Sequence, residues 1–140
     1  MKGGQRAQPS PTAAQKKALL SHARAIRARA YAPYSKFQVG AAVLDEKGRV
    51  HGGANVENAS YGLTVCAERH AVAAAVAAGA KRIRAVAVVT PMTPPGSPCG
   101  ACRQVLAEFA APEAPVLLAS PTGACEETTM GELLPRTFRL

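Results

Sequence analysis

Residues 84–90, RAVAVVT, are a short, almost entirely apolar run that is rich in valine. A run of this length and composition is typical of a strand in the middle of a sheet, covered on both faces. On its N-terminal side, residues 66–79 (CAERHAVAAAVAAG) predict a helix that stops at Gly79. On its C-terminal side, a loop rich in proline and glycine leads to a predicted helix over about residues 101–109 and an apolar strand over residues 116–119.

The chain before this region predicts a helix followed by a hairpin. Apolar and alanine residues recur at helical spacing from Thr12, a candidate N-cap, to about Ala30. Residues 37–44 (FQVGAAVL) predict a strand, residues 45–48 a turn, and residues 49–55 the antiparallel partner strand. A polar, irregular segment then connects this hairpin to the second helix.

The order helix, hairpin, helix, strand, helix, strand predicts an α/β fold, a three-layer α/β/α sandwich around a mixed sheet. Its two β–α–β steps are long enough for right-handed crossovers between parallel strands. A short helix is expected near residues 130–135. The 140 residues are the usual length of one domain, so we expect a single domain over residues 12–140, preceded by a disordered basic tail over residues 1–11.

Composition and charge exclude several classes of protein. Hydrophobic residues make up 48% of the chain and no apolar run approaches membrane-spanning length, so a globular protein with no membrane partner is expected. The N-terminus lacks the apolar core of a secretory signal, which favours a cytoplasmic location. The net charge of +8 is concentrated in residues 1–29, which hold seven cations and no acid. Nucleic acid is therefore an unlikely partner, because a phosphate-tracking surface carries its charge in the body of the domain.

Three of the four cysteines stand where helices are predicted to begin. Cys99 and Cys102 form a C-x-x-C motif that alone fits either a redox pair or half of a structural zinc site. Cys66 opens the preceding helix in the same way, so two helix N-termini can bring three thiolates to one cation. Three protein ligands with an open fourth position are the pattern of a catalytic zinc, which lowers the pKa of its bound water. Cys125 has no partner motif and is interpreted as a small apolar residue.

Two charged residues follow Cys66 directly. A carboxylate at Glu68 could transfer protons beside a zinc-bound water, although it could equally be an acid that stabilises a helix N-terminus. Three thiolates on Zn²⁺ leave a net negative charge, and the guanidinium of Arg69 could offset it. The alternative for Arg69 is an ordinary surface arginine.

These residues resemble a known family. The C-A-E and P-C-G-x-C motifs are the cysteine form of the zinc deaminase signature. The chain is similar, with all blocks in order over about residues 12–140, to the small homotetrameric cytidine deaminases. The blocks that carry the resemblance are YSKFQVGAA (34–42), NVENASYGLT (55–64) running into CAER (66–69), PCGACRQVL (98–106), and LLP (133–135) with Phe138.

The resemblance implies a cytidine deaminase-like sheet of five strands and a role for each matching residue. It assigns zinc (Zn²⁺) binding to Cys66, Cys99 and Cys102, and proton transfer to Glu68. Arg69 would hydrogen-bond to the zinc thiolates.

The same resemblance implies how a substrate is held. Phe37 would lie against the pyrimidine, Asn55 and Glu57 would hold the ribose hydroxyls, and the backbone at Ala67 and near Ser97 would contact the base. Tyr61 and Phe138 would help complete the pocket of a neighbouring subunit, so activity would require the homotetramer.

The expected reaction is the hydrolytic deamination of free cytidine and deoxycytidine to uridine and deoxyuridine, as in pyrimidine salvage. A carboxylate at Glu57 accepts hydrogen bonds from sugar hydroxyls and repels a phosphate, which favours nucleosides over nucleotides. The alternatives are a deaminase of a nucleoside antibiotic, a deaminase of a nucleic-acid base, and a zinc-stabilised module without activity. Few aromatic residues are available to stack on a nucleic-acid strand, which disfavours the second of these.

Overall fold

A five-stranded mixed sheet forms the centre of the computed structural model, which describes residues 8–140. The spatial order of the strands is β2-β1-β3-β4-β5. Their bounds are β1 Gly40–Asp45, β2 Val50–Ala54, β3 Ile83–Val89, β4 Pro115–Ala119 and β5 Cys125–Thr129.

Three of the five strands, β2, β3 and β4, run in the same direction. β1 is antiparallel to both β2 and β3, so β2 and β3 run the same way on either side of it. β3 and β4 are parallel, and β5 is antiparallel to β4. Both predicted β–α–β steps therefore join strands of equal direction, and the segments that follow β2 and β3 leave the sheet at the same edge.

The helices lie on the two faces of this sheet and confirm the three-layer sandwich. α1 packs its buried Leu19 and Ala23 against one face. The second face carries α2 and α3, with the short α4 beside them. The helix bounds are α1 Ala13–Arg27, α2 Ala67–Ala77, α3 Gly100–Phe109 and α4 Met130–Leu133, and a single 3₁₀ turn spans Tyr61–Leu63.

Alternation along the central strands divides the core between the two faces. In β3, Ala85 and Ala87 face the α1 layer, whereas Val86 and Val88 face the α2 and α3 layer. Every residue of β1 is buried. This pattern explains why the central strand is recognisable as a continuous apolar run and not as an alternating one.

The first helix begins where its sequence predicts. The side chain of Thr12 accepts a hydrogen bond from the N–H of Gln15, and the Oε1 of Gln15 accepts one from the N–H of Thr12, which completes a capping box. Of the predicted tail, residues 1–7 lie outside the described residues. Before the helix, the carbonyl of Pro9 accepts hydrogen bonds from the guanidinium of Arg84, and disorder of the tail stays a prediction.

Two boundaries differ from the sequence prediction, and one strand was not located by it. α1 ends three residues before Ala30, and β1 begins at Gly40 and not at Phe37. Two backbone groups of the segment 37–39, the carbonyl of Phe37 and the N–H of Val39, bind the side chain of Asn55, although the carbonyl of Val39 still accepts the backbone N–H of Asn55 at 3.3 Å. β5 was not indicated by hydrophobic pattern, since its sequence, CEETT, is a polar and largely exposed edge strand.

One glycine sets the distance between β2 and α2. A Cβ atom on Gly53 would stand 2.7 Å from the carbonyl oxygen of Ala67 and 2.5 Å from the nitrogen of Ala71. A side chain at this position would push the first turn of α2 away from the sheet. No helix within residues 8–140 is long and apolar enough to cross a membrane.

A buried carboxylate organises the turn between β1 and β2, at the end of β1. Asp45 has no exposed surface, and it accepts hydrogen bonds from the backbone N–H groups of Lys47 and Arg49, each at 2.9 Å. The Arg49 guanidinium and the His51 ring each lie 2.8 Å from its second oxygen. Burial by itself would raise the pKa of Asp45, but these hydrogen bonds, led by that of His51, lower it to about 2.

Replacing this carboxylate should destabilise the protein in a pH-dependent way. Because folding lowers the pKa of Asp45, its contribution is complete above about pH 4 and is lost as the pH falls through about 2. We expect Asp45→Asn to reduce the free energy of unfolding by about 2 kcal/mol at pH 7, and by much less near pH 2. Urea unfolding at both pH values checks this, with Glu113→Gln as an exposed control. A difference independent of pH would contradict the assignment.

Candidate active site

Two helix N-termini bring three cysteines together at one edge of the sheet. Cys66 is the N-cap of α2 and Cys99 is the N-cap of α3, while Cys102 lies in the first turn of α3. Within the described residues, neither N-cap sulfur accepts a hydrogen bond from its own helix. Both sulfurs are therefore available to another partner beside the positive ends of the helix dipoles.

The three sulfurs form a group that could hold a metal ion. The Sγ atoms of Cys66, Cys99 and Cys102 all lie within 4.8 Å of one another, and the group passes from the exposed Cys99 to the buried Cys102. Thiolates about 2.3 Å from a tetrahedral zinc would stand roughly 3.8 Å apart, so the three sulfurs are near enough to one another to share one ion. Sulfur ligands also favour zinc over hard cations such as magnesium.

The charge state of the sulfurs supports the same interpretation. The pKa of the Cys66 thiol is lowered to about 5, mainly by a hydrogen bond with Cys102 and also by the guanidinium of Arg69, against the effect of burial. The hydrogen bond to Cys66 and burial raise the pKa of Cys102. Arg69 donates to the carbonyl of Thr64 at 3.2 Å. The structure thus places Arg69 beside the sulfurs, where the sequence predicted it.

Glu68 lies beside the sulfurs in a buried position. It is only 5% exposed, although it occupies the first turn of α2. Burial, followed by the negative charge of Cys66, raises the pKa of its carboxyl group to about 7. A carboxyl group with such a pKa both accepts and donates a proton near neutral pH, which is the property of a general acid–base residue.

A cavity of about 210 Å³ opens onto this group. Besides Cys66 and Cys99, it is lined by five residues that the sequence assigned to the site: Phe37, Asn55, Ala67, Glu68 and Ser97. The whole lining consists of Phe37, Val39, Asn55, Thr64, Cys66, Ala67, Glu68, Thr90, Met92, Gly96, Ser97 and Cys99. Its size and mainly apolar wall suit a small planar ligand with a few polar contacts.

The side chain of Asn55 shapes one wall of the cavity. Its Oδ1 accepts the N–H of Val39 at 2.8 Å, and its Nδ2 donates to the carbonyl of Phe37 at 2.8 Å. Asn55 therefore holds the segment that carries the Phe37 ring. One N–H and one lone pair of the amide remain for a ligand.

A second hollow of about 340 Å³ adjoins the first, because Thr64 lines both. Glu57 and Tyr61 line this second hollow with Tyr34 and Ser35. The rings of Tyr34 and Tyr61 meet edge to face, with centroids 5.9 Å apart. The structure thus places Glu57 next to the cavity with Glu68 and not inside it.

Two predicted site residues lie largely in solvent. Tyr61 is 74% exposed and Phe138 is 69% exposed. Phe138 lines a separate surface hollow, and its carbonyl accepts a hydrogen bond from Gln104. Neither side chain completes the cavity of its own chain.

Sequence reasoning missed Thr90, which lines the cavity, and Arg103, which does not line it but binds Ser97, a residue that does. The hydroxyl of Thr90 accepts the N–H of Gly96 at 3.0 Å and so folds the loop after β3 over the cavity. Arg103 donates to the carbonyls of Pro98 and Leu133, each at 2.7 Å, and to the hydroxyl of Ser97. The only signal for Arg103 was its place directly after Cys102, since its contact with Leu133 joins residues that are distant in sequence.

Cys125 lies apart from the three-cysteine group. It is the first residue of the edge strand β5 and is exposed, so it does not pack as a small apolar residue. His70, close to Cys66 in sequence, has its Nδ1 2.9 Å from the carbonyl of Ala54. The group that could hold a metal within residues 8–140 therefore contains cysteines only.

Comparisons with known proteins agree with this site. Residues 13–118 match the family model for the cytidine and deoxycytidylate deaminase zinc-binding region. A cytidine deaminase of Sporosarcina psychrophila is 49% identical over 86% of this chain and 88% of that protein. One of Halalkalibacterium halodurans is 50% identical over 86% of this chain and 91% of that protein.

Solved structures lead to the same family. The crystal structure of cytidine deaminase from Burkholderia pseudomallei superposes with a TM-score of 0.83 at 49% identity, covering 87% of this chain and 98% of that one. That from Mycobacterium tuberculosis gives a TM-score of 0.76 at 43% identity over 89% and 98% of the two chains. The chain therefore belongs to the family of zinc-binding cytidine and deoxycytidylate deaminases.

Proposed function

We propose that this protein is a zinc-dependent enzyme that hydrolyses free cytidine and deoxycytidine to uridine and deoxyuridine with release of ammonia. One observation carries the proposal. A cluster of three cysteine sulfurs and a buried carboxyl group, Glu68, stand together at the wall of a cavity that also holds an aromatic ring and an amide side chain. The relatives' activity supports it, since they are cytidine deaminases.

Each part of the reaction has a residue suited to it. Zinc bound by Cys66, Cys99 and Cys102 supplies Lewis-acid activation of a water molecule. Glu68 takes a proton from the water that attacks C4 of the pyrimidine and delivers it to N3. It then takes the proton of the hydroxyl now on C4 and delivers it to the amino group, which leaves as ammonia while the C4 carbonyl forms. Arg69 offsets the negative charge of the three thiolates.

The substrate is held by the walls of the two hollows. The ring of Phe37 packs against the pyrimidine, and the backbone at Ala67 and Ser97 contacts the polar edge of the base. Asn55 offers its remaining amide N–H to the sugar. The sugar reaches from the cavity into the second hollow, where Thr64 lines both, and Glu57 accepts a hydrogen bond from one of its hydroxyls.

Glu57 also selects against phosphate. The pKa of Glu57 is lowered, most strongly by a hydrogen bond from the Ser35 hydroxyl and less strongly by the backbone N–H groups of Ser35 and Tyr34. Burial opposes this shift. The group therefore stays a carboxylate at neutral pH and repels an anionic substrate, although the cation of Lys36 lies near it. Nucleosides are the substrates that this arrangement accepts.

We infer a homotetramer in which subunits share their sites. Tyr61 and Phe138 present large, exposed aromatic surfaces that their own chain does not cover, which supports roles in a neighbouring pocket. The catalytic unit is a single domain over residues 12–140. Its place of action is the cytoplasm, where a reducing environment preserves thiolate ligands, and its reaction serves pyrimidine salvage.

Removing the proton-transfer group should abolish turnover without loss of metal. We expect Glu68→Gln to lower kcat for cytidine by roughly 100-fold or more, because the amide cannot accept the water proton. Ammonia release measures kcat, and elemental analysis counts zinc per chain. Glu126→Gln, an exposed acid on β5, is the control. Full activity in the Glu68→Gln variant would contradict the proton-transfer role of Glu68.

The two exposed cysteines should differ in their effect on zinc. Cys99 lies in the sulfur cluster and Cys125 lies on the edge strand, so replacement of each by serine is a matched pair. We expect Cys99→Ser to lose most of its zinc and activity, and Cys125→Ser to keep about one zinc per chain. Equal zinc content in the two variants would show that Cys99 is not a ligand.

Substrate charge should decide the specificity. We expect kcat/KM for cytidine and deoxycytidine to exceed that for cytidine monophosphate by about tenfold or more, because the carboxylate of Glu57 repels the phosphate. Glu57→Gln should narrow this difference, since it removes the negative charge. Steady-state assays of ammonia release provide the comparison. A preference of the native enzyme for the monophosphate would refute the argument.

A further inference from the structure

One hydroxyl group connects the two hollows of the site. The Oγ of Ser35 donates a hydrogen bond to the Oε2 of Glu57 and accepts the backbone N–H of Phe37 at 3.0 Å. Lys36, between them, has a φ of 61°, and this left-handed conformation turns the chain back on itself. Ser35 thus binds both Glu57, whose carboxylate lines the second hollow, and the backbone of Phe37, whose ring lines the cavity.

The hydrogen bonds of Glu57 leave little of its carboxylate free. Oε1 accepts the N–H of Tyr34 at 3.0 Å and that of Ser35 at 3.1 Å, which occupies both of its lone pairs. Oε2 accepts the Ser35 hydroxyl and has one lone pair left. One lone pair of Oε2 therefore remains to accept a hydrogen bond from a ligand. The Ser35 hydroxyl, which occupies the other lone pair of Oε2, sets its direction.

The segment with Phe37 is fixed from both sides. Ser35 binds the N–H of Phe37, and the Nδ2 of Asn55 binds its carbonyl at 2.8 Å. The cavity wall formed by the ring and the acceptor on Glu57 are thereby held in one geometry. A ligand that fits both must present a flat ring and a hydroxyl at a fixed separation, as a nucleoside does.

We propose that Ser35 is a specificity-determining positioning residue, which aims the free lone pair of Glu57 at a hydroxyl of the substrate's sugar. This inference rests on the proposed nucleoside deaminase activity. Ser35 makes no step of the reaction itself. It acts through Glu57, so its contribution depends on whether the substrate carries the hydroxyl that Glu57 accepts.

The test compares substrates with and without that hydroxyl. We expect Ser35→Ala to lower kcat/KM for cytidine by about tenfold, mainly through KM, because a hydrogen bond to a charged group is lost. With 2′,3′-dideoxycytidine, which lacks both ring hydroxyls, the loss should be less than about threefold. Ser35→Thr keeps a hydroxyl and should restore most of the activity. Ser21→Ala, an exposed serine on α1, is the matched control.

A double-mutant cycle adds a second measurement. In a Glu57→Gln background, Ser35→Ala should cost much less than it does in the native enzyme, because the two residues act as one unit. Equal losses on cytidine and dideoxycytidine, or additive effects in the cycle, would overturn the proposal.

The outcome stays distinct from that of the proposed function. A native enzyme that releases no ammonia from cytidine would refute the activity itself, whereas an active enzyme with an unaffected Ser35→Ala variant would refute only the role of Ser35. Because Ser35 is exposed, the variant should fold. Ser35→Cys, with a weaker donor, provides a second variant that should lose activity to an intermediate degree.

Discussion

The site depends on the direction of one strand. β1 lies between β2 and β3 and is antiparallel to both, so the chain segments that follow β2 and β3 emerge at the same sheet edge. Each segment ends in a cysteine at the start of a helix. The positive ends of two helix dipoles then face a group of sulfurs whose charge they help to stabilise. The sheet topology itself therefore brings together the three sulfurs that can bind a metal ion.

Sequence reasoning succeeded where the signal was local. The apolar run of β3 and the group of Cys66, Cys99 and Cys102 are recognisable because periodicity along the chain reflects burial and because the cysteines stand at the starts of two predicted helices. The proton-transfer role of Glu68 stays a prediction. It did not find β5, whose polar residues carry no hydrophobic pattern. It also missed Arg103, which binds the carbonyl of Leu133, a residue brought near it only by folding. Contacts between side chains and distant backbone atoms leave little trace in a single sequence.

The late start of β1 shows the same limit. Phe37 to Val39 have strand-like composition, yet the carbonyl of Phe37 and the N–H of Val39 bond with the side-chain amide of Asn55, and the N–H of Phe37 bonds with the hydroxyl of Ser35. A β ladder in this segment would have consumed these groups and placed the Phe37 ring by the sheet's regular alternation. Because a side chain substitutes for the ladder, the ring can occupy a cavity wall.

The last residues of the chain bind α3, the helix that Cys99 caps and that contains Cys102. Gln104 binds the carbonyl of Phe138, and Arg139 binds the carbonyl of Ala107 at 2.6 Å. Arg103, one residue from Cys102, binds the carbonyl of Leu133. A truncation before Phe138 would therefore remove two hydrogen bonds from the helix that contains Cys102.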